Sequence, residues 1–384
     1  LVGFGAAAAS ITVSANRSTV QAYVGMGALI NAPSAALVVT SDVTSNANPT
    51  IVTVSIGVVG VNINVMVSLN EAKNLVYIGR TPKVDNADIE AVEGANGSGI
   101  NTITAKSVDV KADAKATSTL DSYSFSASGI GLNGAVTVAN SKVINTAYVA
   151  DTNITTGDLT IKAILNNDLH SYSLGAKIQG ISGGVQVAVG RIKSINLAHL
   201  DTTNVKVNAE NVNVNAGDAD VEDKKDDKNG ASGSDGKKAD EKAAEARRVS
   251  ASVDVKIEIA LNISGLELGV NVAYAKNDLT NTAEIIGAKT KTAEPALTAA
   301  NDVNVFAGAN SVVKAVTAKG LSVSGGSISV SISSAYQTAT QRAQVYYGTL
   351  KAKNLNVRTF YNTEKGKFNT ADEHSVDKLS TERG

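Results

Sequence analysis

Residues Leu132–Gly184 read LNGAVTVANSKVINTAYVADTNITTGDLTIKAILNNDLHSYSLGAKIQGISGG. Two short signatures lie in this stretch. The first is a small or apolar residue, a variable residue and a β-branched residue or Leu, here Ala147-Tyr148-Val149. The second is an alternating run, Leu159-Thr160-Ile161-Lys162-Ala163. Alternation at every second position puts Leu159, Ile161 and Ala163 on one face of a strand and the skipped residues on the other.

Both signatures recur six times. The first appears at Ala22-Tyr23-Val24, Val76-Tyr77-Ile78, Ala147-Tyr148-Val149, Ala198-His199-Leu200, Ala283-Glu284-Ile285 and Ala343-Gln344-Val345. The second begins at Leu37, Val108, Leu159, Val212, Val303 and Leu355, so its spacings are 71, 51, 53, 91 and 52 residues. The base period is thus about 51 to 53, and the two long intervals hold insertions. One, at about 81–103, is polar and Gly-rich. The other, 217–248, has 10 acidic and 8 basic residues in 32 positions and cannot bury enough surface to offset its ordering entropy. It is expected to be a disordered excursion, with helix-forming composition over Lys237–Arg248.

A unit of short alternating strands with loops inserted at fixed points is what stacked β-coils require, because each unit buries its inner face only against its neighbours. The expected fold is all-β: an elongated, parallel β-helix-like β-solenoid of about six units of about 51 residues, over 1–216 and 249–362, followed by a polar linker or frayed end at 363–384. Two coils per unit would give a rod of roughly 60 Å at ~4.8 Å per rung. Apolar columns are expected inside, with Asn, Thr and Ser at turns. The Gly-rich sites Asn133-Gly134, Gly183-Gly184 and Gly325-Gly326 suit either solenoid corners or tight hairpins. An array of hairpin-rich β-sandwich modules is therefore the alternative. Pro33, Pro82 and Pro295 fall between the first signature and the second, where they remove no ladder donor.

Composition narrows the function. Hydrophobic residues are 43% of the 384, aromatics only 4%, and Trp is absent. Such small side chains suit thin stacked layers. A net charge of −1 provides no basic field to hold nucleic acid or an anionic membrane, so neither is the expected partner. No Cys is present, so disulfides, thiolate metal sites and a Cys nucleophile are excluded. No apolar run is long enough for a membrane span. The opening LVGFGAAAASITVSANR lacks a basic leader and starts in a strand pattern, as expected of a piece of a longer polypeptide.

Candidate chemistry is sparse. His170, His199 and His374 are dispersed, and no HExxH or other metal-ligand spacing occurs. Asp151, Asp158, Asp168 and Asp201 flank strand ends, where Asp commonly serves local backbone hydrogen bonds; a polysaccharide-active β-helix enzyme would need such carboxylates to converge. No cofactor is expected. The variable position of the first signature holds Tyr23, Tyr77, Tyr148 and His199, then Glu284 and Gln344. Alternation turns these away from the packed Ala and Val, so they are expected to form an outer stripe able to contact sugar or protein.

Units such as SGGVQVAVGRIKSINLAHLDTTNVKVNAENVNVNAG (Ser182–Gly217) and LGVNVAYAKNDLTNTAEIIG (Leu268–Gly287) resemble the repeat regions of large filamentous surface adhesins of Gram-negative bacteria. Leukotoxin-type filamentous adhesins are the nearest in style, with filamentous haemagglutinins more distant. The resemblance covers about residues 1–360 apart from the charged insertion. It implies an extracellular, cell-surface β-solenoid stalk exported by a type V route, with no active-site residues. Its implied partners are a host-cell or bacterial surface receptor, protein or glycan, and end-to-end copies of itself. The alternatives are a self-assembling filament or surface-layer subunit and a polysaccharide-active enzyme.

Overall fold

The computed structural model describes residues 2–82, 99–217, 249–289, 294–364 and 367–368 and is all-β, with no helix among them. Most of both insertions and the end of the chain, including the expected helical part Lys237–Arg248, lie outside the described residues. The strands are β1 (Val2–Val24), β2 (Leu29–Ala47), β3 (Thr50–Ile78), β4 (Asn101–Val149), β5 (Thr152–Asp201), β6 (Val207–Ala209) and β7 (Asn211–Ala216). They continue with β8 (Val249–Ile286), β9 (Leu297–Ala299), β10 (Asp302–Tyr346), β11 (Leu350–Lys351), β12 (Asn354–Tyr361), β13 (Thr363–Glu364) and β14 (Lys367–Phe368). β1 to β12 join one sheet in which every pairing is parallel. Only β13 and β14 pair antiparallel. The hairpin-module alternative therefore fails, because tight hairpins would make neighbouring strands antiparallel.

Register follows the signatures residue by residue. Tyr23 pairs with Tyr77, Tyr77 with Tyr148, Tyr148 with His199, His199 with Glu284, and Glu284 with Gln344. Leu37 pairs with Val108, Val108 with Leu159, Leu159 with Val212, Val212 with Val303, and Val303 with Leu355. The charged insertion leaves this register intact. Ala163 pairs with Ala216 before it and Asn166 with Ser250 after it, while Ala307 and Asn310 of β10 pair with the same two residues. β5, β7, β10 and β8 thereby close a ring of pairings, since β7 and β8 are two parts of one level.

Each unit makes one level, not two coils. The 49 residues of β4 run beside the 50 of β5 from end to end. Within a level the chain doubles back, so an outgoing arm and a return arm face each other. Asn145 Nδ2 donates to Ala112 O at 3.1 Å, Asn196 Nδ2 to Ala163 O at 3.0 Å, and Asn64 Nδ2 to Thr53 Oγ1 at 2.7 Å near the bend. Levels ~4.8 Å apart, from β1 through the five doubled-back levels to β12, stack to roughly 30 Å, whereas an arm such as Ser107–Ser128 extends ~70 Å. The body is a blade rather than the expected rod.

The interior changes character along the arms. Next to the links between levels, Val76, Val108, Val110, Ala147, Leu159 and Val212 form one apolar cluster. Further out lies a second, with Met66, Leu120, Val143, Leu169 and Val253. Burying such a side chain contributes ~1.5–3 kcal/mol. Between them runs an asparagine ladder that was expected at turns. Asn74, Asn145, Asn196 and Asn281 are wholly buried, and their side-chain amides bond in series at 2.9, 2.8 and 2.8 Å.

At the bend equivalent residues of successive levels approach so closely that only Gly fits. A Cβ on Gly180 would lie 2.6 Å from the Gly129 carbonyl oxygen, and one on Gly265 2.7 Å from that of Gly180. These glycines, and the Gly183-Gly184 and Gly325-Gly326 pairs, have no positive φ, so they serve as corners rather than hairpin turns. Gly180→Ala is expected to cost about 1–3 kcal/mol by overpacking against a hydrogen-bonded backbone. Gly134→Ala, whose Cβ would lie 3.8 Å from its nearest neighbour, should cost under ~0.5 kcal/mol. Equal shifts of the two variants in guanidinium unfolding would contradict this.

Candidate functional site

The first-signature column lines up Tyr, His, Glu and Gln side chains across the levels, and it is not the outer stripe expected. Tyr77 is 0% exposed, and Tyr148 and His199 are 5% exposed each; only Tyr23, at 39%, meets solvent. Alternation did turn the rings away from the Val and Ala cluster. The far side, however, is a second apolar cluster, where Tyr77 and Tyr148 pack with Leu75, Ile144 and Ala150. The chain leaving β3 returns over that face. Arg80 Nε donates to Tyr148 Oη at 3.3 Å, and the Thr81 side chain hydrogen-bonds Tyr77.

In-register pairing stacks the rings, since parallel levels place equivalent residues directly above one another. Tyr23 lies on Tyr77 with centroids 5.0 Å apart and planes within 6°, and Tyr148 on His199 at 4.4 Å and 5°. The column then becomes ionic. His199 Nδ1 meets Glu284 Oε1 at 2.8 Å, and Gln344 Nε2 donates to Glu284 Oε2 at 2.7 Å. Beside it Arg80 bridges two acidic residues, with Nη1 3.5 Å from Asp151 Oδ2 and Nη2 hydrogen-bonded to Asp201. Asp151 occupies the left-handed region at φ 48° in the link between β4 and β5. Asp151 and Asp201 are thus brought together at Arg80, whereas Asp158 accepts from Asn211 at 2.8 Å and burial raises the Asp168 carboxyl above its usual range.

Burial pushes the Tyr148 hydroxyl up, against the opposing pull of Arg80. For Glu284 burial acts upward, but the hydrogen bonds from His199 and Gln344 and the charges of His199 and Arg342 together hold the carboxyl below its usual value. A depressed folded value contributes stability that is present above the unfolded value, 4.5, and lost as pH falls through the folded one. Acid unfolding of the chain should therefore show a loss below that value that Glu284→Gln flattens. Identical acid limbs for the two proteins would refute the assignment.

His199 Nε2 is buried and meets no hydrogen-bond partner among the described residues, so the His199–Glu284 pair lacks the hydroxyl that would complete a nucleophilic triad. No group of three or more His, Asp or Glu is placed to hold a metal ion among the described residues. A depression of about 520 Å³ lies elsewhere, at the bend, lined by Ser128, Gln179, Ser264, Ser324 and apolar neighbours, without a titratable side chain. The column's chemistry is that of a fastener running across the levels. Sequence reasoning missed the asparagine ladder and the Arg80 bridge. The ladder did leave a signal, an Asn two residues before the first signature in four copies and Gln341 in a fifth. Arg80 left none, because its partners lie 71 and 121 residues away. No family model, curated protein or solved structure matches the chain.

Proposed function

We propose that the chain is a non-enzymatic stalk, a β-solenoid of six units of about 51 residues from an exported bacterial surface adhesin that attaches to host or neighbouring cells. The observation that carries the reading is the residue-for-residue parallel register of the two signatures across every level. Such stacking extends by adding units, which suits reach rather than turnover. The engagement of His199, Glu284, Arg80, Asp151 and Asp201 with one another supports it as well, because these groups fasten levels together. A protein or glycan receptor on another cell is the partner this reading implies, met on the extracellular surface.

Binding of the purified chain to glycan arrays, matrix proteins and cultured cells tests the proposal. Saturable binding to one of these surfaces is the expected result; no binding to any would leave only a spacer. A second reading, end-to-end assembly, is favoured by the far side of β10. It pairs with β12 only through Asp302–Ala309, the Asn362 side chain caps Ser311, and beyond that no described strand lies along the far side of β10. Negative-stain electron microscopy separates the two, uniform fibres supporting assembly and single blades a stalk.

A further inference from the structure

Towards the bend the blade is inside out. Inward positions that hold Val and Ala nearer the links become Ser126, Gln179 and Ser264 on the outgoing arms and Asn133, Gln186 and Glu267 on the return arms, all buried. Outward positions become apolar over the same length. On the outgoing face Val54, Ile178 and Ile263 are exposed, at 45, 41 and 42%. On the return face Leu132, Val185 and Ile328 are exposed, at 58, 49 and 68%. Ile130, Ile181 and Leu266 continue the band around the bend itself. Across the five in-register bends (51–67, 122–138, 173–189, 257–274 and 317–334) the charged residues are Lys177, Glu258, Glu267 and Lys319, and two of these, Lys177 and Glu267, point inward. Exposed apolar surface on this scale marks an interaction site.

Its shape restricts the occupant. The band covers both faces of the blade and the bend between them, so a protein docked on one face would leave the other wet, whereas a fluid apolar phase encloses all three sides. The border of the band favours that phase too. Tyr123 and Tyr172 mark it on the outgoing face, with rings 6.2 Å apart, and Tyr274 and Tyr336 on the return face, 5.5 Å apart. Lys256 lies over the Tyr172 ring and Arg191 over that of Tyr274, each at 5.5 Å. Tyr beside Lys and Arg is the residue set of a membrane–water interface. From this border to the bend is roughly 20 Å on the outgoing face and 30 Å on the return face, against ~20 Å for one leaflet with its headgroups. The bends of β4, β5 and β8 hydrogen-bond to the levels on either side and so carry few unpaired backbone groups into lipid, the requirement for any protein there, whereas the bend of β10 pairs with β8 alone. No helix long and apolar enough to cross a membrane occurs among the described residues.

We propose that the bend edge of the blade inserts as a wedge into a lipid bilayer, with the Tyr–Lys/Arg border at headgroup level. This goes beyond the adhesive reading and does not depend on it. The test is flotation of the full chain with phosphatidylcholine vesicles, with and without phosphatidylserine. The expected result is co-flotation, reduced at least tenfold in I328S/V330S/I332S. These three side chains point outward, so circular dichroism and melting should stay as in the parent chain. In case that variant fails to fold, Leu132→Trp in the otherwise unchanged chain, which has no other tryptophan, should show blue-shifted emission and quenching by brominated acyl chains. No flotation of the parent chain, or tryptophan emission from the Leu132→Trp variant that brominated lipid leaves unquenched, overturns the proposal. So does concentration-dependent association without vesicles that I328S/V330S/I332S abolishes, since the band would then be an interface between proteins.

Discussion

Asn196→Asp is expected to destabilise the chain by about 4 kcal/mol at neutral pH. Asn196 is wholly buried at the centre of the ladder. Its Nδ2 donates to Ala163 O at 3.0 Å and to Asn281 Oδ1 at 2.8 Å, while its Oδ1 accepts from Asn145 Nδ2 at 2.8 Å. Asp keeps the acceptor and removes both donors. Asn281 Oδ1 then loses its donor, at ~1–3 kcal/mol, the Ala163 carbonyl keeps only the Gly217 backbone N–H at 2.9 Å, and a carboxylate must ionise in the interior or take up a proton. Burial raises the folded pKa of such an Asp above its unfolded value of ~3.9. Relative stability is therefore recovered below the unfolded value and lost as pH rises through the folded one. Guanidinium unfolding of the variant at pH 4 and pH 7 measures this. An unchanged midpoint at pH 7, or a deficit that does not shrink in acid, would show that the ladder carries no weight.

That ladder also marks where the sequence could be read. The period, the insertion points and the alignment of Tyr23 with Tyr77, Tyr148 and His199 follow from spacing, because parallel stacking demands that equivalent residues recur at one interval. Which side of a strand is the inside does not follow. LSVSGGSISVSIS alternates on either side of its Gly-Gly pair, yet Val323 and Ile328 face out. Alternation defines two faces, and only the surroundings say which is solvated. The tyrosine stripe failed for the same reason: its side of the strand was legible, but the Arg80–Thr81 crossing that covers it was not. One level per unit rather than two was hidden as well, since the bend at Gly180 keeps its strand pairing and shows no break in pattern.

Glu267→Ala is the other large effect, expected at about 3–5 kcal/mol, the range for breaking a buried ion pair by removing one partner. Glu267 is 1% exposed in the polar interior of the bend, with Oε2 2.7 Å from Lys319 Nζ. Lys177, 3% exposed, lies in the same field. Burial holds its ammonium below the usual pKa; Glu267 pulls it back up and Lys319 presses it down. Deleting the carboxylate leaves two ammonium groups facing each other, of which Lys319, on the outermost of the bends, can reach water. Lys177 cannot, so its substitution should rescue the loss: E267A/K177M is expected to regain at least half of it, since a neutral replacement of a buried charge is often tolerated. The pH dependence gives an independent readout. A lysine with a lowered folded pKa binds fewer protons folded than unfolded between that value and 10.5, so stability rises with pH across that window. Without Glu267 the folded value drops further and the window widens downward, and Lys177→Met removes it. A Glu267→Ala cost under ~1 kcal/mol, or one that Lys177→Met does not relieve, would mean that the interior of the bend is hydrated enough to tolerate charge singly.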